Sequence, residues 1–88
     1  MPDVPQRSQA HAALGQAIRR VRRDQAVSQE ELGFRAGLHR TYVGGIERGE
    51  KNPSYANLLK LSEALGVAPS ALLREAESQP GWPGRRRP

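Results

Sequence analysis

The sequence predicts an all-α fold of five short helices. Apolar residues recur at helical spacing along the central part of the chain, beginning with Leu14, Ile18 and Val21 at i, i+4 and i+7. Residue types that start or stop helices separate the apolar stretches, and no stretch shows the alternation that is typical of a strand. Because 88 residues are enough for one domain, we expect a single small core.

The second helix is predicted from a capping pattern that follows the apolar stripe of the first. It opens at "SQEEL", where Ser28 caps the helix and Glu31, three residues further on, reaches back to the cap. It ends near Gly37, because glycine readily adopts the left-handed conformation that closes helices. Only a few residues separate this helix from the next, so the pair predicts a helix-turn-helix unit.

The last three helices are bounded by the same kinds of residue. A third helix is predicted over residues 39–48, with Gly49 stopping it. The fourth begins after "NPS", with Ser54 as its cap, and stops at Gly66. The fifth starts at Pro69, since proline is favoured at the first helical position.

Both chain ends are predicted to be flexible tails around a domain at residues 10–77. Residues 1–9 are polar and contain two prolines, and residues 78–88, "SQPGWPGRRRP", contain three prolines and two glycines. Trp82, the only tryptophan, is expected to be a solvated residue of the second tail, and the alternative is a docking residue. The three arginines at 85–87 are expected to add unspecific attraction to phosphates, and the alternative is that they form a solvated end.

Composition restricts the possible functions. The net charge of +5 indicates a polyanionic partner, but the arginines at 85–87 supply three of the five charges and leave 5 − 3 = +2 for the rest. The chain has no cysteine, and its two histidines are distant in sequence, so no metal site and no cofactor is predicted. No catalytic motif is present, so an enzyme is not expected. The sequence does not indicate a pocket for a small ligand.

The chain also lacks the sequence features of membrane and secreted proteins. No apolar run approaches the roughly 18 residues that a membrane-spanning helix needs. The first residues, "MPDVPQRSQAHA", lack the apolar segment of a secretory signal. We therefore expect a cytoplasmic protein.

The third helix has one apolar side and one unusually bare side. On a helical wheel Val43 and Ile46 point toward the core. The outward side consists of Thr41, Gly44, Gly45 and Arg48, with Arg40 on the flank. Each glycine costs a helix interior roughly 1 kcal/mol relative to alanine, so two adjacent glycines need a reason. One interpretation is a smooth face that enters a DNA major groove. The alternative is ordinary solvent surface on which glycine is tolerated.

Two charged residues are predicted to join the first and third helices. Glu47 lies at the edge of the apolar stripe of the third helix, and Arg22 lies at a similar edge of the first. A charge so close to a core needs a partner, so we predict an ion pair between Arg22 and Glu47 that orients the third helix. The alternative is that both side chains are solvated.

The motifs "SQEEL", "AGL" and "IERG", the last followed by "NPS", resemble the Xre-type, phage-repressor-like helix-turn-helix proteins. The similarity runs from about residue 14 to residue 73. It implies a five-helix phage-repressor-like domain that binds double-stranded DNA and regulates transcription. It further implies a homodimer on a symmetric operator, with the third helix in the major groove. Small repressors and the controller proteins of restriction–modification systems are the members that the chain resembles.

The resemblance also assigns roles to individual residues. The positions that match base-contacting positions are Arg40, Thr41, Gly44 and Gly45. The positions that match backbone-contacting positions are Gln29, Arg48, Lys51 and Asn52. For Gln29 the resemblance leaves a base edge as the alternative contact. Among these, Arg40 is the residue expected to set specificity, because arginine can bond both major-groove acceptors of guanine.

The sequence also predicts a dimer interface and leaves one alternative function open. The predicted dimer interface at the last helix consists of Leu65, Val67, Leu72 and Leu73. The alternative function is that of an antitoxin or adaptor, whose main role is contact with another protein and for which DNA binding is secondary. Activation and repression both remain open.

Overall fold

A computed structural model describes residues 5–82, with side chains from residue 9 onward. Within this range the chain forms five helices and no strand, so the all-α prediction is confirmed. The helices are α1 (Pro5–Asp24), α2 (Gln29–Ala36), α3 (Arg40–Glu47), α4 (Tyr55–Leu65) and α5 (Pro69–Glu77).

One hydrophobic core joins all five helices. α1 packs against α3 and α5, α2 packs against α3 and α4, and α4 packs against α5. The buried core residues are Ile18, Val27, Leu32, Ala36, Val43, Ile46, Leu61, Leu65 and Leu72. Val43 and Ile46 therefore face inward, as the helical wheel predicted, and their burial fixes which side of α3 is turned to solvent.

The helix boundaries follow the predicted capping residues. Ser28 Oγ accepts a hydrogen bond from the Glu31 amide at 2.9 Å, and Ser54 Oγ caps α4 in the same way. Gly37 and Gly66 close α2 and α4 with φ values of +72° and +70°. The Glu31 carboxylate does not reach back to the cap as predicted, because it accepts from Arg35 Nε at 2.8 Å. One half of the capping box is therefore replaced by an i,i+4 ion pair.

α1 lies directly on the last turn of α3. A Cβ added to Gly15 would overlap the carbonyl oxygen of Ile46 and stand 2.7 Å from that of Glu47. Backbone atoms cannot move aside as a flexible side chain can, so any larger residue at position 15 would push the two helices apart. Gly15 thus sets how closely α1 supports α3.

Both predicted tail boundaries differ from the structure. α1 begins at Pro5, so residues 5–9 are helical, because proline is favoured at the first helical position and the residues after it tolerate a helix. At the other end Trp82 packs against Ala13, Ala17 and Ala76 and is not a fully solvated residue. Proline and glycine after α5 form a turn that brings it there. The arginines at 85–87 lie outside the described residues.

Two of the four leucine and valine positions predicted for a dimer interface belong to the core. Leu65 is 3% exposed and Leu72 is fully buried, so neither is available to a partner. They were misassigned because the single core needs more apolar side chains than the sequence pattern suggested. Val67 is half-buried against the core, and Leu73 is 42% exposed.

The turn between α1 and α2 contains a strained residue. Ala26 has a φ of +59°, in the left-handed region, which costs a residue with a Cβ roughly 1–2 kcal/mol. Glycine avoids this cost but is more flexible in the unfolded chain, which offsets about 0.4–1 kcal/mol. We expect Ala26→Gly to raise the free energy of unfolding by about 1 kcal/mol in urea denaturation. The matched control, Ala71→Gly in α5, should lower it by a similar amount. A loss of stability from Ala26→Gly would contradict this reading.

Two further findings concern the described part of the chain. No helix in residues 5–82 is long and apolar enough to cross a membrane. In the same residues no three acidic or histidine side chains come together in a way that could hold a metal ion.

Candidate nucleic-acid interface

The outer faces of α2 and α3 meet in a shallow, polar depression. Its lining consists of Gln29, Arg40, Thr41, Gly44 and Arg48. Five of the eight residues that the resemblance assigned to DNA contact therefore line one surface. Lys51 and Asn52 are exposed in the loop after α3, and Gly45 lies outside the depression.

A buried ion pair supports this surface from below, and it is the pair predicted from the sequence. Arg22 Nε lies 2.6 Å from Glu47 Oε2, and Arg22 Nη2 donates to Glu47 Oε1 at 3.0 Å. The residues are 9% and 3% exposed. Arg22 Nη1 also donates to the carbonyl oxygen of Val27 at 2.8 Å. The pair thus ties α1 and the α1–α2 turn to the end of α3.

Gln29 extends the same network to the surface. Its side-chain Nε2 donates to Glu47 Oε1 at 2.9 Å. Because a carboxylate only accepts hydrogen bonds, this contact sets which end of the amide faces inward. Gln29 Oε1 is turned to the depression, 3.4 Å from where a Cβ on Gly44 would stand. The hydrogen bond between Gln29 and Glu47 was not predicted from the sequence. Helical periodicity shows which residues share a face of one helix, but it does not show which side chains of α2 and α3 contact each other.

The two glycines are not bare surface, so that prediction is wrong. Gly44 and Gly45 are both buried. A Cβ at Gly44 would stand 3.0 Å from Arg48 Nη1, and a Cβ at Gly45 would stand 2.6 Å from Lys51 Cγ. Gly44 makes room for the side chains of Gln29 and Arg48, and Gly45 makes room for the stem of Lys51. The wheel showed that the glycines point away from the core, but it could not show which side chains cover them.

The start of α3 is capped by a histidine. His39 Nδ1 accepts a hydrogen bond from the Thr41 amide at 3.0 Å. This contact leaves the proton of the neutral ring on Nε2. The cap orders the first turn of α3, which carries the exposed side chains of Arg40 and Thr41.

Arg48 is held by an acidic neighbour that the sequence analysis overlooked. Its Nε and Nη2 donate to Glu50 Oε2 and Oε1 at 3.0 and 3.2 Å. These hydrogen bonds, and then the opposite charge, raise the pKa of the Arg48 guanidinium and hold the pKa of the Glu50 carboxyl below its ordinary value of 4.5. Since a carboxyl whose pKa is lowered is ionised at neutral pH, Arg48 is partly neutralised where phosphate contacts were expected.

Removing this acidic neighbour should strengthen DNA binding. If Arg48 contacts DNA phosphates, as the resemblance implies, Glu50→Gln frees its guanidinium and removes a carboxylate from beside them, so we expect affinity for operator DNA to rise roughly fivefold at low salt. The slope of log affinity against log salt should steepen by about one. The measurement is fluorescence anisotropy over a salt series. Glu63→Gln in α4 is the matched control, and an unchanged Glu50→Gln protein would show that the pair does not restrain Arg48.

Five helices with α2 and α3 joined by a tight turn, and a polar outer face supported by a buried ion pair, define a helix-turn-helix DNA-binding protein. Residues 18–72, more than half of the chain, match the family model HTH_3, described as helix-turn-helix. The chain belongs to this family, whose named members are transcriptional regulators and repressors. It is therefore a DNA-binding transcriptional regulator.

Individual relatives include both kinds of regulator that the sequence resembled. Control protein C.BamHI of Bacillus amyloliquefaciens is 50% identical over 61 residues, which are 68% of this chain and 75% of that protein. The restriction-modification controller protein C.AhdI from Aeromonas hydrophila has a crystal structure that is 48% identical, with a TM-score of 0.69 over 69% of this chain and 92% of that chain. The solution structure of the DNA-binding domain of the P22 c2 repressor is 37% identical, with a TM-score of 0.66 over 68% of this chain and 79% of that chain.

Proposed function

We propose that the protein binds a two-fold symmetric operator as a homodimer, with α3 of each protomer in the major groove. The observation that carries the proposal is the depression in which the exposed polar side chains of α2 and α3 converge. An α-helix with its side chains is about 10–12 Å across, which suits a major groove about 12 Å wide. The similarity to control proteins supports a role in regulating a restriction–modification system.

Base contacts are assigned to the rim of the depression. Arg40 lies in the first turn of α3 and is exposed, and its guanidinium suits the O6 and N7 acceptors of guanine. Thr41 adds a hydroxyl and a methyl group beside it. Gln29 has one amide hydrogen committed to Glu47, so its Oε1 and its second N–H are the atoms that can pair with adenine. Gln29 is therefore proposed as a base contact rather than a backbone contact, with Gly44 as the floor between.

Backbone contacts are assigned to the loop after α3. Arg48, Lys51 and Asn52 are exposed there, and the amides at the capped start of α4 follow immediately. Side-chain cations and helix N-termini both suit phosphate oxygens. Such contacts position α3 in the groove and carry no sequence information themselves.

The dimer is proposed to form through the exposed apolar side chains near α5. Leu73 is 42% exposed, and Val67 lies half-buried before the start of α5. A two-fold contact through this surface would set two α3 helices about one turn of DNA apart.

Leu73→Asp tests the dimer. A charge at a buried apolar contact is desolvated without a partner, so we expect dimerisation to weaken at least tenfold. Sedimentation equilibrium should then give a monomer near 10 kDa, since the chain is 9.7 kDa. The helical content should stay unchanged because Leu73 is not a core residue. Phe34→Asp, at an exposed position on α2, is the matched control. An unchanged dimer in Leu73→Asp would place the interface elsewhere.

The test of the whole proposal is selection of bound duplexes from a random DNA pool. We expect a two-fold symmetric motif whose half-site centres lie about 10 bp apart, the spacing of one DNA turn. A pool that yields no motif, with binding that depends only on salt, would overturn the proposal.

A second role, in contact with another protein, is supported by one residue. Phe34 on α2 is 82% exposed and lies beside Glu30 and Arg40 in a separate shallow depression. Leu38 lines the same depression, so the two apolar side chains together offer a partner protein a contact at the edge of the proposed DNA surface.

A further inference from the structure

His39 occupies the start of α3 with both its ring and its backbone. The ring atom Nδ1 accepts a hydrogen bond from the Thr41 amide at 3.0 Å. The carbonyl oxygen of His39 accepts from the amides of Tyr42 and Val43 at 3.0 and 3.1 Å. Three amides at this end of the helix are therefore bonded to one residue. A phosphate could bind those amides only by displacing His39.

The cap also fixes the tautomer and the orientation of the ring. Because Nδ1 accepts, the hydrogen of the neutral ring is on Nε2, and a doubly protonated ring could not accept from the Thr41 amide. The two ring nitrogens face different directions, so Nε2 faces away from that amide. Within residues 9–82, Nε2 has no hydrogen-bond partner and no carboxylate within 4.0 Å. His39 is exposed, and it thus presents one unused neutral donor beyond the end of α3.

α2 holds the backbone on both sides of His39 in place. A Cβ added to Gly33 would stand 2.5 Å from the carbonyl oxygen of Leu38 and 3.4 Å from the amide nitrogen of Arg40. The turn before α3 therefore packs directly on the backbone of α2, and a larger residue at position 33 would push it away. Since α2 sets the backbone and the cap sets the ring, His39 has little conformational freedom left to lose when it makes a further contact.

The ring lies beside the residue that is proposed to contact a base. His39 and Arg40 are adjacent in the chain, and they line one shallow depression together with Glu30, Phe34 and Leu38. Arg40 also lines the depression that is assigned to DNA, so the two depressions adjoin at this residue. Glu30 and Arg40 carry opposite charges that offset each other here. A phosphate at this edge is therefore held by a directed hydrogen bond more than by net charge.

We propose that His39 donates its Nε2–H to a phosphate oxygen next to the base that Arg40 contacts, an inference that rests on the proposed function. Residues in the first turn of a recognition helix contact base edges. The N-cap residue lies just before that turn, where the sugar-phosphate backbone borders the groove. The contact holds the start of α3 in register with the bases. Because the ring is neutral, the contact releases no counterion.

The experiment uses His39→Ser in the full-length protein. Serine is a favoured N-cap, so the start of α3 stays capped, but its hydroxyl is too short to replace Nε2. On the selected operator we expect affinity to fall about tenfold for each half-site, because a hydrogen bond to a charged oxygen is lost. The slope of log affinity against log salt should change by less than about 0.3, whereas loss of a cationic contact would lower it by about 0.9. Gln16→Ala removes a neutral exposed side chain of α1 and, as the matched control, should change neither property.

Replacement of single phosphates identifies the group that His39 contacts. Each phosphate of one half-site is replaced in turn by an uncharged methylphosphonate, in which a methyl group takes the place of one oxygen. The wild type should lose affinity at every phosphate that it contacts. His39→Ser should lose much less at one phosphate, next to the base that Arg40 contacts, and as much as the wild type at the others. A defect in folding or in the cap would weaken binding to all these duplexes by the same factor, so coupling at one phosphate reports a direct contact.

The other outcomes contradict the inference in different ways. Wild-type affinity in His39→Ser would show that His39 makes no contact with DNA. Weaker binding without coupling to any phosphate would also overturn the contact. A changed base preference in the random pool would then assign Nε2–H to a base edge, and an unchanged preference would leave His39 with capping alone. A slope lowered by about 0.9 would mean a charged ring and not a neutral donor. Absence of any operator preference in the wild type would instead overturn the proposed function.

Discussion

Glu47→Ala is expected to lower the free energy of unfolding by about 3–5 kcal/mol, the cost of removing one partner from a buried ion pair. Within the described residues, the substitution leaves Arg22, 9% exposed, with only the Val27 carbonyl oxygen as a hydrogen-bond acceptor. It also removes the acceptor of Gln29. A buried guanidinium without its counter-charge is strongly disfavoured. Urea denaturation followed by circular dichroism measures the change.

Two comparisons show whether burial is the cause. Glu31→Ala breaks an exposed i,i+4 pair with Arg35 and should cost at most about 0.5 kcal/mol. The double protein Arg22→Met, Glu47→Leu removes both charges, so its stability should return close to that of the wild type. A Glu47→Ala protein within about 1 kcal/mol of the wild type would mean that the pair is solvated in solution.

The double protein also separates stability from DNA binding. It keeps apolar packing between α1 and α3, but Gln29 has lost the acceptor that turns its Oε1 toward the depression. We therefore expect operator affinity to stay below the wild-type value even where stability recovers. The buried pair would then serve chiefly to orient the DNA surface, which is a role that apolar residues cannot fill.

Local signals predicted the helices well because each boundary is encoded by a few neighbouring residues. Ser28 and Ser54 cap α2 and α4, and Gly37 and Gly66 close them, as their positions in the sequence indicated. The pair of Arg22 and Glu47 was also predictable, since both lie at the edges of apolar stripes that must face each other. These inferences need periodicity within a helix and little else.

Apart from this ion pair, contacts between elements could not be predicted in the same way. The wheel turned Gly44 and Gly45 outward correctly, yet the side chains that cover them come from α2 and from the loop after α3. Leu72 carried the same apolar signal as Leu73, and only packing shows that one is buried and the other is not. The turn before Trp82 had a local signal, Pro80 and Gly81, that composition alone interpreted as disorder.

Arg40→Ala should lower operator affinity about 10- to 100-fold per half-site, because a bidentate contact between arginine and guanine contributes roughly 1–3 kcal/mol of discrimination. Arg40 is exposed in the first turn of α3, and in residues 9–82 it has no acidic partner within 4.0 Å. Replacing Arg40 therefore removes the proposed base-contacting guanidinium without breaking an ion pair within the described residues. Fluorescence anisotropy should show the loss on the selected operator and a much smaller loss on a duplex in which the preferred guanine is replaced.

The comparison with two further proteins decides whether Arg40 reads a base or only a phosphate. Arg40→Lys keeps the charge but loses the planar fork, so it should bind the operator nearly as weakly as Arg40→Ala while keeping more of the salt dependence. Arg74→Ala removes an exposed cation on α5 and should change neither property by much. If Arg40→Ala weakens binding equally on every duplex and lowers the salt slope by about one, Arg40 contacts the backbone. Gln29, whose amide is held by its hydrogen bond to Glu47, would then be the remaining candidate for a base contact.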